Sequence, residues 1–111
     1  MTVSMPDSDP VPQLIVAAFE SGRRMPDRER MVAINDQLSA EVQRLAARAR
    51  AVAQQQPMYS RDWYRLTNAA DAAEFPLRFE LGLGPLAASI HVTQLARGVL
   101  ALRKVLGEDG E

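Results

Sequence analysis

Residues 27–56 read DRERMVAINDQLSAEVQRLAARARAVAQQQ, and their apolar side chains recur at steps of three and four. This spacing places the apolar side chains on one face of an α-helix. The apolar positions are Ile34, Leu38, Val42, Leu45, Ala49 and Val52. Pro26 precedes the stretch and Pro57 follows it, which predicts one helix of about 30 residues and roughly 45 Å. No other helix is expected to match this length, so part of the apolar face is expected to need an outside partner.

The composition of the chain favours helices. Of its 111 residues 47% are apolar, and only one Trp, two Tyr and three Phe are present. We therefore predict an all-α fold with four helices in a single domain over residues 11–107. Residues 1–10 are predicted to form a flexible lead, and residues 108–111 an acidic tail. Because so small a core has limited stability, we expect an intertwined or tightly packed homodimer.

Proline, glycine and capping residues predict where the other three helices begin and end. The first helix is expected from Pro10 to about Ser21, with Gly22 as its stop. Its predicted buried side consists of Val11, Leu14, Ile15, Ala18 and Phe19. Ser60 is the predicted N-cap of the third helix, which Pro76 should bend or end near residue 74.

A connector and a final helix complete the predicted fold. Residues 75–81 are expected to be an apolar connector, with a short strand as the alternative. The last helix is expected from Pro85 to about Leu106, with Gly107 as its stop. Its core face is predicted to consist of Val92, Leu95, Val99, Leu102 and Leu106.

The composition argues against several classes of function. The chain has no Cys and one His, so we expect no disulfide, metal site or cofactor. No run of about 18 apolar residues is present, and the first residues lack the features of a secretory signal, which favours a cytoplasmic protein without a membrane partner. The net charge of −1 gives no general attraction for phosphate backbones, so no nucleic-acid partner is expected.

Three groups of side chains are candidate ligand-binding sites. The first group is Glu20, Arg23 and Arg24. The second group is Tyr59, Trp63, Tyr64 and Arg65. The third group is His91, Gln94 and Arg97. Each group also has a structural alternative, namely pairing at a helix end, aromatic anchoring of a helix or a dimer, and a histidine hydrogen-bonded at a helix contact.

The order of the elements resembles a known protein family. A short apolar helix ends near a proline (residues 14–26), a long helix contains LAARAR (residues 45–50), and a GLGP break (residues 82–85) leads into LAR (residues 95–97). This pattern is similar to small helical proteins encoded beside natural-product gene clusters. It most resembles the lysinoalanine synthase of cinnamycin- and duramycin-type lanthipeptides. The resemblance covers most of the chain and implies a small dimeric helical enzyme that joins a Lys amine to dehydroalanine in a ribosomal peptide.

The chemistry implied by the resemblance depends on positioning. Deprotonating a lysine at pH 7 costs roughly 4 to 5 kcal/mol, given its free pKa near 10.4. Holding amine and alkene in a near-attack geometry supplies about 7 to 11 kcal/mol, so a strong base is not required. His91 is the only candidate protein base. We expect the protein to act mainly as a template for the modified peptide, with a peptide carboxylate as proton acceptor and with arginines holding peptide carboxylates.

Two other classes of function remain open. A non-catalytic helical interaction or regulatory module is the main alternative. A nucleic-acid binder is the third, because several arginines on the second and third helices could form a basic patch. The net charge of −1 and the absence of a recognition-helix pattern argue against nucleic-acid binding.

Overall fold

The computed structural model describes residues 9–107, and within this range four α-helices and one 3₁₀ helix account for the secondary structure. The helices are α1 (Val11–Arg24), α2 (Arg28–Ala53), α3 (Arg61–Glu74) and α4 (Pro85–Leu106), with the 3₁₀ helix (Phe75–Arg78) after α3. The all-α, four-helix prediction is confirmed. The connector after α3 begins as a 3₁₀ turn, and no strand occurs in the described range. Residues 1–8 of the predicted lead and the predicted acidic tail lie outside the described residues.

The long helix α2 begins where the sequence predicts and ends three residues early. Asp27 caps it, because its side chain accepts a hydrogen bond from the backbone N–H of Arg30 at 2.8 Å. The helix has 26 residues and is therefore about 39 Å long rather than 45 Å. After Ala53 the backbone tightens, since the N–H groups of Gln55 and Gln56 donate to carbonyls three residues back. Such tightening is common in the last turn of a helix.

The apolar face of α2 is covered within the chain. Ile34, Leu38, Val42, Leu45 and Ala49 are all fully buried, and Val52 is half-buried. They pack in one core with the inward face of α4, whose residues Val92, Leu95, Val99 and Leu102 are also fully buried. The expectation that α2 needs an outside partner is therefore wrong. α4 has 22 residues, and α4, α1 and α3 together cover the apolar face of α2.

The first helix lies antiparallel to α4, and polar contacts fix its position. The hydroxyls of Ser21 and Ser89 are 2.7 Å apart, and the Thr93 hydroxyl donates to the Ala18 carbonyl at 3.3 Å. At the other end of α1, Arg103 donates to the Asp9 carboxylate at 2.6 Å.

Two details of α1 were predicted wrongly. Gly22 does not end the helix, which continues to Arg24 and stops at Met25, a left-handed residue with a φ of 52°. Met25 precedes a proline, and residues before proline are disfavoured in the helical conformation. Phe19 was predicted to be buried but is 44% exposed. Ser21 lies on the buried face of α1 instead, and its hydroxyl donates to the Ala18 carbonyl.

The third helix packs closely against α4. Ser60 caps α3 as predicted, accepting a hydrogen bond from the Trp63 N–H at 3.2 Å, and α3 ends at Glu74 as expected. Ala73 on α3 lies directly over Gly98 on α4. A Cβ placed on Gly98 would lie 2.9 Å from the Cβ of Ala73. The two helices approach this closely only because both residues are small.

A substitution at this contact should destabilise the protein. Gly98→Val is expected to lower the free energy of unfolding by about 1–3 kcal/mol, because the added side chain would overlap Ala73. Ala47→Val, on the exposed side of α2, adds the same branched side chain where it meets no neighbouring helix. Urea unfolding followed by circular dichroism measures both variants. Equal stability of the two would contradict the close contact.

Candidate functional site

A groove lies between α3 and α4 on the side of the molecule where the two helices approach most closely. Its volume is about 330 Å³, within the range of small-ligand sites. The α3 side is formed by Ala69, Ala72 and Ala73, followed by Phe75 and Pro76 after the helix end. The groove exists because this side of α3 carries alanines, whose short side chains leave space beside α4.

Two of the predicted site residues, Gln94 and Arg97, lie on the α4 side of this groove together with Gly98 and Ala101. Both polar side chains are exposed. Among residues 9–107, Arg97 has no carboxylate partner, whereas Arg24, Arg50 and Arg103 each form an ion pair. An arginine without a partner beside apolar walls is suited to bind a carboxylate through two parallel hydrogen bonds.

His91, the third member of that group, does not line the groove. Only 9% of it is exposed, and it forms no hydrogen bond within the described part of the chain. Burial lowers the pKa of its imidazole below the ordinary value of 6.5, so it is neutral at pH 7. A neutral imidazole is the basic form, but a buried ring outside the groove has poor access to a peptide bound there.

Glu20, Arg23 and Arg24 pair with one another at the end of α1, which is the structural alternative given for this group. The Glu20 carboxylate accepts from Arg24 at 3.0 Å and lies 3.8 Å from Arg23. Both arginines belong to the last turn of α1, where positive charge is favourable. Because α1 contacts α4 on the side away from α3, this group is not part of the groove.

The aromatic group forms a cluster at the start of α3. The rings of Tyr59 and Trp63 meet edge to face with centroids 5.2 Å apart, and those of Trp63 and Tyr64 with centroids 5.0 Å apart. Tyr59 has a left-handed backbone with a φ of 67° and remains 65% exposed. Arg65 pairs with Asp62 at 3.3 Å.

The residues of this aromatic cluster do not line the groove. Asp62 and Arg65 border a small cleft with Val105 and Leu106, near the end of α4. Ala101, the last groove residue on α4, comes four residues before Val105, and Ala69 comes four residues after Arg65 on α3, so the cleft begins about 6 Å along each helix from the groove. The predicted site residues therefore fall into separate places, and of the ten only Gln94 and Arg97 line the groove.

Sequence reasoning missed the remaining residues of the groove, notably Phe75, Pro76 and Gly98. Phe75 contacts Phe79 with ring centroids 5.4 Å apart, and the guanidinium of Arg78 lies 5.8 Å from the centre of the Phe75 ring. The available signal was the four alanines within residues 69–73 together with a glycine in the middle of α4. Small residues on two helices indicate close packing, but they do not show that the two sets face each other.

No group of three or more His, Asp or Glu side chains between residues 9 and 107 is placed to hold a metal ion. Over the same range, none of the helices combines the length and the apolar character needed to span a bilayer.

Comparison with known proteins places the chain in a family. Residues 11–111 match DUF6415, a family of unknown function. No curated protein and no solved structure matches the chain.

The burial of His91 predicts a dependence of stability on pH. The unfolded chain binds a proton at His91 more readily than the folded chain, because the pKa is lowered only in the folded state. The free energy of unfolding should therefore decrease as the pH falls from about 7 to about 5. His91→Gln should lose this part of the decrease, as measured by urea unfolding at several pH values. An identical pH dependence of the free energy of unfolding in the wild type and in His91→Gln would contradict a lowered pKa of His91 in the folded state.

Proposed function

We propose that this chain, which belongs to the DUF6415 family, binds a ribosomal peptide in the groove between α3 and α4. The observation that carries the proposal is the combination of apolar walls with one exposed arginine that has no partner among the described residues. Apolar walls suit aliphatic side chains and rings of a peptide. Arg97 suits a carboxylate of the same peptide, and the Gln94 amide can donate to or accept from its backbone.

We further propose that the peptide is a lanthipeptide precursor and that the protein promotes closure of a lysinoalanine bridge. This step rests on the resemblance of the sequence to lysinoalanine synthases. In the reaction, the lysine Nζ adds to the Cβ of dehydroalanine, Nζ loses a proton, and the Cα gains one. The net reaction loses no atoms and transfers no electrons to an external acceptor, so it requires neither an oxidant nor a reductant.

The position of His91 supports a template role over base catalysis. A general base must come within hydrogen-bonding distance of the proton that it removes, directly or through one water. His91 is buried and does not line the groove. A peptide carboxylate is therefore the proposed proton acceptor, and the contribution of the protein is to hold the amine and the alkene together.

A second function, that of a non-catalytic interaction module, is favoured by a different observation. Many large apolar side chains are exposed, and among residues 9–107 the groove contains no side chain suited to act as a nucleophile or base. Such a module would bind a peptide or protein without changing it. Mass spectrometry of the bound peptide separates the two functions.

Arg97 should dominate peptide affinity. Arg97→Gln is expected to weaken binding of a dehydrated Lys-containing precursor peptide by about 10- to 100-fold, because a charge-assisted hydrogen bond contributes about 1.5–3 kcal/mol. Arg30→Gln is the matched control, since Arg30 is also exposed and has no ion-pair partner in the described range. Isothermal titration calorimetry measures both. Equal loss in the two variants, or no loss in Arg97→Gln, would contradict the groove as the binding site.

The template mechanism predicts which variants retain bridge formation. His91→Gln should still cyclise a bound peptide, and so should Trp63→Ala and Glu20→Ala, because these residues lie outside the groove. Cyclisation is followed by mass spectrometry after trapping unreacted dehydroalanine with a thiol, with and without EDTA. If His91 were the base, its removal would slow the reaction by about 10² to 10⁴ while binding stayed normal. That result would overturn the template mechanism.

A further inference from the structure

We propose that a pocket between α1 and α4 binds a small aliphatic carboxylate, whose charged end pairs with Arg103. This α1–α4 pocket has a volume of about 260 Å³ and is lined by Pro12 and Ile15 from α1 and by Leu100 and Arg103 from α4. It shares no residue with the groove between α3 and α4. The proposal is therefore independent of the proposed function.

The α1–α4 pocket opens onto an exposed apolar face of the molecule. Pro12, Val16 and Phe19 follow one another at steps of four and three residues, which places them on one side of α1. Val16 is 54% exposed and Phe19 44%, and on α4 Leu100 is 43% exposed. Ile15 also lines the pocket but belongs to the hydrophobic core. An aliphatic ligand that covers these side chains gains free energy, because it removes apolar surface from water.

Arg103 is a mostly buried charge whose hydrogen-bond donors are only partly used. Its side chain is 16% exposed, compared with 41% for Arg50. Its Nη2 donates to the Asp9 carboxylate at 2.6 Å. Nε is enclosed and has no acceptor among residues 9–107, whereas Nη1 also lacks an acceptor there but is not enclosed. Because buried guanidinium groups normally have partners for their N–H groups, the accessible Nη1 is suited to donate to an anion in the pocket.

A second carboxylate on one arginine has a precedent in the same chain. The guanidinium of Arg50 pairs with Asp71 at 2.7 Å and also with Glu74. Arg103 has one carboxylate partner in the described range, Asp9, whose side chain is 44% exposed. A ligand carboxylate at Arg103 would share the guanidinium with Asp9 and would be repelled by its like charge. Asp9 should therefore weaken the binding of the ligand.

The lining of the pocket limits the ligand to one charged group and an apolar body. Of the four lining residues, only Arg103 has polar atoms in its side chain. A second polar group on the ligand would lose its hydrogen bonds to water without gaining a partner. Sites for drug-sized ligands have volumes of about 300 Å³ or more, so the ligand of this smaller pocket is small. These limits select a short- or medium-chain aliphatic monocarboxylate.

Octanoate is a suitable probe, and three related compounds are its matched controls. Acetate lacks the chain, octanol lacks the charge, and octylamine carries the opposite charge. Titration of the full-length ¹⁵N-labelled protein with octanoate, followed by nuclear magnetic resonance, should give saturable amide shift changes at residues 12–16 and 100–103. The three controls should bind about 10-fold more weakly or less. Absence of saturable octanoate binding, or equal binding of octanol or octylamine, would overturn the proposal.

Two substitutions test the role of Arg103 directly. Arg103→Gln should weaken octanoate binding by about 10-fold or more, because it removes the charged donor. Leu100→Glu should weaken binding as well, since the new carboxylate lies three residues before Arg103 on α4 and can pair with its guanidinium. Arg30→Gln is the matched control, because Arg30 is exposed and has no ion-pair partner in the described range. Far-ultraviolet circular dichroism should show that all three variants are folded. Unchanged octanoate affinity in folded Arg103→Gln would overturn the proposal.

Asp9→Asn should change octanoate affinity in the opposite direction. The substitution removes the competing charge, and its amide oxygen can still accept a hydrogen bond from the Val11 N–H, as the carboxylate does at 3.1 Å. Octanoate should therefore bind Asp9→Asn more tightly than it binds the wild type. Weaker or equal binding would contradict the shared guanidinium. Loss of octanoate binding in Arg97→Gln but not in Arg103→Gln would place the carboxylate in the groove and overturn the α1–α4 pocket as its site.

Discussion

The contact between α2 and α4 is the interaction on which the rest of the structure depends. Ile34, Leu38 and Leu45 from α2 and Leu95 and Leu102 from α4 are the largest side chains that are fully buried. Burying each of them contributes about 1.5–3 kcal/mol, so this pair of helices supplies much of the core. α1 and α3 pack on opposite flanks of α4. The groove and the exposed apolar face both follow from that arrangement, because α4 lies between its neighbours and keeps one side open.

Much of the fold could be predicted from the sequence because single residues determine the helix boundaries. Ser60, Pro85 and Gly107 each act through local chemistry, and each bounds its helix as expected. The end of α1 was missed because two local signals competed, and the proline at position 26 determined the outcome rather than Gly22. Coverage of α2 was also missed, since periodicity identifies an apolar face without showing how well the other helices cover it.

The candidate site was less predictable than the fold. Gln94 and Arg97 could be found because they share one side of a predicted helix. Phe75 and Gly98 join them only through the packing of α3 on α4, which no spacing along the chain reveals. The residue types of the aromatic cluster suggested a site equally well, yet in the tertiary structure that cluster does not line the groove and Arg65 borders a separate cleft at the C-terminal end of α4. Composition identifies chemically capable residues, and the fold selects which of them meet.

The proposed template function needs no strong base, because the protein would hold a peptide against the apolar walls of the groove and the exposed Arg97. The central proposal is that the peptide occupies the groove between α3 and α4. The most direct test is a nuclear magnetic resonance titration of the ¹⁵N-labelled protein with a dehydrated precursor peptide. We expect amide shift changes concentrated at residues 69–75 and 94–101. Changes confined to the aromatic cluster at residues 59–65 or to the outer side of α2 would contradict it.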